Sequence, residues 1–180
     1  MLALSCLAVL LVDGLWRYEM SDSISQPHAA RVEHVSVPQS CRDFRVVSEG
    51  LMPMPEGVPA AHASTLVALP SAHPLAVDKA MAAFWFAGAR ESAPDVQIAA
   101  STYDRQKQAW STPQWVVNRH SLGQTLGIQI RRLGNPVAWA DASGRLHLFV
   151  VATGLGGWAA SRVVHLRETS PMQFAVERTL

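Results

Sequence analysis

Arg90, Glu91 and Asp95 fall within six residues of one another, in a corner marked by Gly88 and Pro94. Two carboxylates beside a guanidinium suit the cleavage of a glycosidic bond, in which one carboxylic acid protonates the leaving oxygen. The same residues also read as a salt-bridged loop, since an acid catalyst wants its carboxyl in a partly dry setting and a neighbouring arginine would lower its pKa instead of raising it. His62, at the head of an apolar run, is a second candidate, because an imidazole gives and takes protons near neutral pH. Its alternative role is that of a histidine satisfied by neighbouring groups. Asn135 offers hydrogen bonds to hydroxyls. Trp158 and Arg162 follow a glycine corner at Gly154–Gly157 and combine a flat apolar face with polar donors, a common way to hold a sugar. Packing between sheets is the other role open to Trp158, and the one expected of Trp85 and Trp139.

These side chains need strands to position them. The stretch from Leu133 to His165 holds an apolar run at Val137–Asp141, a turn at Ala142-Ser143-Gly144 and a β-branched and aromatic run at Leu146–Ala152. The glycine corner and a further strand over Trp158–Leu166 complete an antiparallel meander. Earlier in the chain, His62–Leu69, Ala80–Ala87, Asp95–Thr102 and Gln114–Asn118 read as four strands in the same order, and Gln173–Thr179 supplies a fourth strand for the later set. His62–Leu69 echoes Asn135–Asp141, which places His62 and Asn135 at matching positions. Two four-stranded units in tandem are the period of a β-propeller, with one blade at about 57–118 and the next at about 133–180. Arg119–Arg132 between them is a loop carrying one short element. Before them, Met52–Pro59 has three prolines, which rule out a helix or a central strand.

Charge and composition exclude some functions. With 15 basic and 14 acidic residues and no basic cluster, the chain has no electrostatic footprint for nucleic acid. Cys6 and Cys41 belong to no ligand pattern, so neither a metal nor another cofactor is expected. Six tryptophans against two tyrosines suit sheet packing or platforms for flat ligands. Leu2–Val12 is almost wholly apolar, the size of a signal-peptide core and shorter than the roughly 20 residues of a spanning helix. Residues 1–20 are therefore expected to form an apolar helix acting as a signal-like segment or membrane anchor, and 21–56 a linker with lead-in strands. That organisation places the protein in the cell envelope, anchored or exported, although a buried helix of a soluble protein is an alternative for the apolar run.

Four pieces, HASTLVALP, AFWFAGARESAPDVQIAAS, LGNPVAWADASGRLHLF and GGWAASRV, taken in this order, resemble the bacterial sialidase-like proteins with BNR (Asp-box) repeats. The resemblance covers about residues 57–170. It implies an all-β fold, a six-bladed β-propeller of which about two blades are present, the C-terminal blades being missing from this chain. It also implies a glycoside hydrolase of the exo-sialidase type acting on terminal sugars of glycans, inactive as this portion alone. Arg90 followed five residues later by Asp95 has the family's arginine–aspartate spacing, so the resemblance makes Asp95 the general acid. The first arginine of the family's carboxylate clamp is absent, its place being held by His62-Ala63-Ser64. An imidazole cannot copy the bidentate guanidinium fork. The Asp-box survives only as Ser101, Asp104 and Trp110 at stretched spacing, and an Asp-box stabilises a hairpin rather than performing chemistry. Two alternatives follow from the altered clamp: a non-catalytic glycan-binding propeller, or a uronate lyase using His62 as acid or base.

Overall fold

The structure, a computed structural model, describes residues 49–180. The apolar segment at 1–20, most of the 21–56 linker, the strand candidates at 32–37 and 44–47 and both cysteines lie outside the described residues. Among those described, no helix is long and apolar enough to cross a membrane.

Two antiparallel sheets make up this part of the chain. The first contains β1 (Ala60–Ala68), β2 (Lys79–Gly88), β3 (Gln97–Asp104) and β4 (Ala109–Trp110) in sequential order, with β5 (Gln114–Val117) also paired to β3. The second contains β6 (Arg132–Ala140), β7 (Leu146–Thr153), β8 (Ser161–Ser170) and β9 (Gln173–Thr179), again in order. Between them runs α1 (Arg119–Leu126), the short element expected there. Asn118 starts it by accepting from the His120 and Ser121 N–H groups, and Gly127 ends it at φ +65°.

Period-two alternation decides which side chains enter the core. Strand β2 sends Ala82, Phe84 and Phe86 to one face and Ala83, Trp85 and Ala87 to the other. The first set packs against Leu146, Leu148, Val150 and Ala152 of β7, forming the main core between the sheets. The second set, with Ala99, is covered by Met52, Val58 and Trp110, so the end of the expected linker lies against the first sheet's outer face.

Register shows how the two sheets correspond. β1 pairs with β2 through His62↔Phe86 and Thr65↔Phe84 with an irregularity between, and β6 pairs with β7 through Gly134↔Val151 and Val137↔Phe149 with the same irregularity. Each bulge holds one non-glycine residue at positive φ, Ala63 at 47° and Asn135 at 30°. Aligning the bulges matches Phe84 with Phe149. The Phe84 face is buried between the sheets, whereas the Phe149 face of the second sheet points away from the first. The sheets therefore stack in the same sense, each offering a different face to its neighbour. Among the described residues they form no closed barrel, and the arrangement is consistent with part of a propeller-like all-β fold.

Three details differ from the sequence expectation. The counterpart of Asn135 is Ala63, and that of His62 is Gly134, because the same bulge follows His62 in β1 and Gly134 in β6. Strand β6 begins at Arg132, ahead of the expected Val137. Trp158 lies in a 3-10 turn at Gly157–Ala160, so the strand after the glycine corner starts at Ser161.

The sheets are pinned at one end. The β1–β2 connection reaches the second sheet, where His73 meets Glu168 and the β6–β7 turn at Gly144 presses on Ala72 and His73. Antiparallel alternation then gathers the starts of β1 and β6 and the β2–β3 and β7–β8 connections at the opposite end.

Candidate functional site

That opposite end carries every residue singled out for chemistry: His62, Arg90, Glu91, Asp95, Asn135, Trp158 and Arg162. They fall into three groups rather than one constellation.

His62 lies on the exposed edge strand β1 and stacks on Phe86, ring centroids 5.4 Å apart at 19°. It borders a cavity of about 310 Å³ whose walls are Met52, Pro53 and Met54 on one side and Ala61–Ser64 with Trp85 on the other. Trp85 is only 3% exposed, and its buried indole Nε1–H has no hydrogen-bond partner among the described residues. A buried donor on a cavity wall is what a ligand acceptor would satisfy.

The charged corner is held together by Asp95, whose Oδ2 accepts from the Ala89 N–H at 2.8 Å. Arg90, Glu91 and Asp95 are all exposed, and no ion pair among the described residues joins Arg90 to either acid. Arg90 Nη1 instead approaches the Glu91 carbonyl at 3.5 Å. The corner is therefore solvated, and neither the salt-bridged loop nor the dry acid is found among the described residues.

In the second sheet, Asn135 sits exposed on its bulge. Trp158 lies across Gly134, where a Cβ would come within 3.0 Å of the indole ring, so one face packs and the side chain stays 46% exposed. Arg162 belongs to a separate cavity behind the β7–β8 corner.

Two polar clusters escaped the sequence reading. Across the Phe149 face of the second sheet, Asp141 Oδ2 accepts from His147 Nε2–H at 3.1 Å. The His147 Nδ1 then accepts from His165 Nε2–H at 2.8 Å. Trp139, His147, His165 and Phe149 stack in succession, with centroid separations of 4.6 to 5.1 Å. The Asp141 hydrogen bond fixes this tautomer and leaves buried His165 Nδ1 without a partner among the described residues. The second cluster is His73 with Glu168, at the pinned end. The first was not readable in the sequence, because it depends on the strand register, which sets His165 opposite Phe149 and so one alternation away from His147 on the same face. Among the described residues, no group of three or more His, Cys, Asp or Glu side chains could hold a metal ion.

Asp104 turns the β3–β4 hairpin, as the weakened Asp-box implied. Its Oδ1 accepts from the Gln106 and Lys107 N–H groups and its Oδ2 from Lys79 Nζ. The Lys107 N–H and the Lys79 ammonium, in that order, are the largest influences lowering its carboxyl from 3.8 to about 2. The Ser143 hydroxyl, then His147, hold the Asp141 carboxyl well below the usual carboxylate range. Burial, reinforced by His147, pushes His165 below its ordinary value of 6.5.

These shifts give stability two pH windows of the same sign. Because folding disfavours protonated His165, stability falls as pH drops through 6.5 and below. Because folding favours the Asp104 carboxylate, its contribution is present above 3.8 and lost as pH falls toward about 2. Thermal unfolding followed by circular dichroism between these limits is expected to show both declines. His165→Gln should remove the upper one alone and Asp104→Asn should lessen the lower, to which Asp141 also contributes, and a profile unchanged in either variant contradicts the assignment.

Comparison with known proteins returns one match, to a family described as BNR repeat-like domain, over residues 79–178, from the start of β2 almost to the end of β9. No curated protein and no solved structure matches the chain. The matched span covers more than half of the 180 residues and contains most of both sheets, and on that ground the chain belongs to the BNR repeat-like family.

Proposed function

We propose that the chain is the N-terminal, glycan-binding portion of a sialidase-like propeller of six blades, with a terminal sugar held at the end where β1 and β6 begin. The cavity beside His62-Ala63-Ser64 carries this reading: by the resemblance these residues stand in place of the family's first clamp arginine, and the cavity lining contains no lysine or arginine. Its volume is at the lower end of small-ligand pockets. An apolar floor of methionine and tryptophan with an unpartnered indole N–H suits a neutral sugar face with one acceptor, not a carboxylate. Residues 1–20 would tether the protein to the cell envelope, and blades beyond Leu180 would complete the ring.

Hydrolysis is a second reading, favoured by Asp95. Its Oδ1 accepts no hydrogen bond among the described residues and the side chain is exposed at the same end as His62. A glycan array, followed by an assay of sialic acid release from an aryl sialoside, separates the two. Binding without release is the expected result, with His62→Ala weakening binding about tenfold, the usual size of one lost charged or aromatic contact. Release abolished by Asp95→Asn would replace this conclusion with the hydrolase. Loss of turnover with retained binding in His62→Ala would point to lyase chemistry instead.

A further inference from the structure

From a cleft on the outer face of the first sheet, we infer a binding site for an organic cation of the methylated ammonium type, distinct from the His62 pocket. The cleft encloses about 510 Å³ between Pro53–Glu56 on one side and Trp110, Thr112, Pro113 and Trp115 on the other. Pro53 and Met54 also wall the His62 cavity, so they divide the two.

Register puts the aromatic rings on one face. Trp115 pairs with Ala99, whose side chain packs with Met52, Val58 and Trp110 on the outer face of the sheet. Tyr103, four residues along β3 from Ala99, shares that face and meets Trp110 edge-on, with centroids 5.3 Å apart at 66°. That contact orients one indole. Trp115 is 42% exposed and stacks on no other ring among the described residues, which leaves its face to a ligand.

Both walls are held before any ligand arrives. The Ser111 N–H bonds the Thr102 carbonyl at 2.8 Å, the Ser101 hydroxyl donates to the Ser111 carbonyl at 2.7 Å, and Pro113 fixes the bend that follows. Opposite, the Val58 N–H bonds the Pro55 carbonyl at 3.2 Å and closes a turn with Glu56 at its tip. A site built in advance loses little affinity to ordering.

Charge selects the ligand. Glu56 is the only ionisable residue lining the cleft, and it enters no ion pair among the described residues. The two segments that build the cleft, 49–58 and 109–118, contain Glu49 and Glu56 and not one lysine, arginine or histidine. A carboxylate without counter-charge attracts a cation, and indole faces favour one whose charge is spread over methyl groups. A neutral sugar stacks on tryptophan too, but offers no charge for Glu56 to attract.

The test is titration of the full chain with choline, with its uncharged tert-butyl isostere and with glucose, read by heat and by the methyl proton resonances of choline. Choline is expected to bind about fivefold more tightly than either, the usual size of a cation–π contact at a partly exposed site. Trp115→Ala should lose about fivefold in choline affinity with the melting temperature little changed, and Trp115→Phe should keep part of it. Glu56→Gln should lower choline affinity about threefold without affecting the isostere, and added salt should do the same. Absence of choline binding, equal binding of choline and the isostere, tighter binding of glucose, or full choline affinity in Trp115→Ala or Glu56→Gln overturns the site. His62 does not line this cleft, so His62→Ala should leave choline affinity intact, and this site and the proposed function fail separately.

Discussion

Replacing Glu168 by alanine is expected to cost the fold about 3–5 kcal/mol, the loss typical of breaking a buried hydrogen-bonded pair. Glu168 is 6% exposed and His73 is 2% exposed. The Leu75 N–H donates to His73 Nδ1 at 3.1 Å, which leaves the ring proton on Nε2 to be given to Glu168 at 3.0 Å. The same carboxylate accepts from the Met172 N–H at 2.7 Å and the Leu146 N–H at 3.3 Å. One side chain thus satisfies the β8–β9 turn, the first residue of β7 and the connection from the other sheet. Alanine would leave three buried donors without an acceptor, and such groups cost more than the net worth of the bonds they lose. Domains of this kind have only about 5–15 kcal/mol in hand, so urea denaturation should show a midpoint shifted far down. His73→Ala should cost a similar amount, and the double variant much less than the two together, since both remove one shared interaction. Additive losses would mean that the two residues act separately and that the pair does not join the sheets.

Much of the fold was legible because strands announce themselves through alternation and turn residues. Gln173–Thr179 was read with its observed bounds, and Ala80–Ala87 and Leu146–Ala152 to within a residue at each end. The true counterparts of His62 and Asn135 were not legible. Both strands carry the same bulge, and its place in each, marked by a positive φ that Ala63 does not advertise, is known only from the pairing register. Trp158 was misplaced for a related reason: bulky apolar residues after a glycine corner look like a strand, but here the indole covers Gly134 from a 3-10 turn. All seven site residues lie at one end of the sheets, because strand direction alone decides which connections share an end. Their separation into a His62 pocket, an Asp95 corner and an Arg162 cavity depends on packing that no spacing encodes. His73 escaped notice inside a Pro-rich turn, as its partner lies far along the sequence.

Gly144→Ala is the second substitution with a large expected effect, about 2–4 kcal/mol. Gly144 turns the β6–β7 hairpin at φ +86°, where Asp141 accepts from the backbone of Ser143 and Arg145. A Cβ there would stand 2.7 Å from the Ala72 carbonyl carbon and 2.8 Å from the His73 nitrogen, both backbone atoms that no rotamer change can move. Gly127 provides the control, since it has φ +65° with nothing within 4 Å of its Cβ position. Gly127→Ala should carry only the left-handed backbone strain, about 1 kcal/mol. The excess in Gly144→Ala then measures how firmly the hairpin bears on the other sheet, and equal losses would show that it does not. Because the contact passes through His73, the alanine should also disturb the Glu168 pair, so Gly144→Ala should cost less in a Glu168→Ala background than alone. At the far end of the same strands, β1 and β6 begin beside His62 and Asn135. Loosening the clamp lets the sheets pivot, and any ligand that touches both sheets should then bind more weakly in Gly144→Ala than one confined to the His62 pocket.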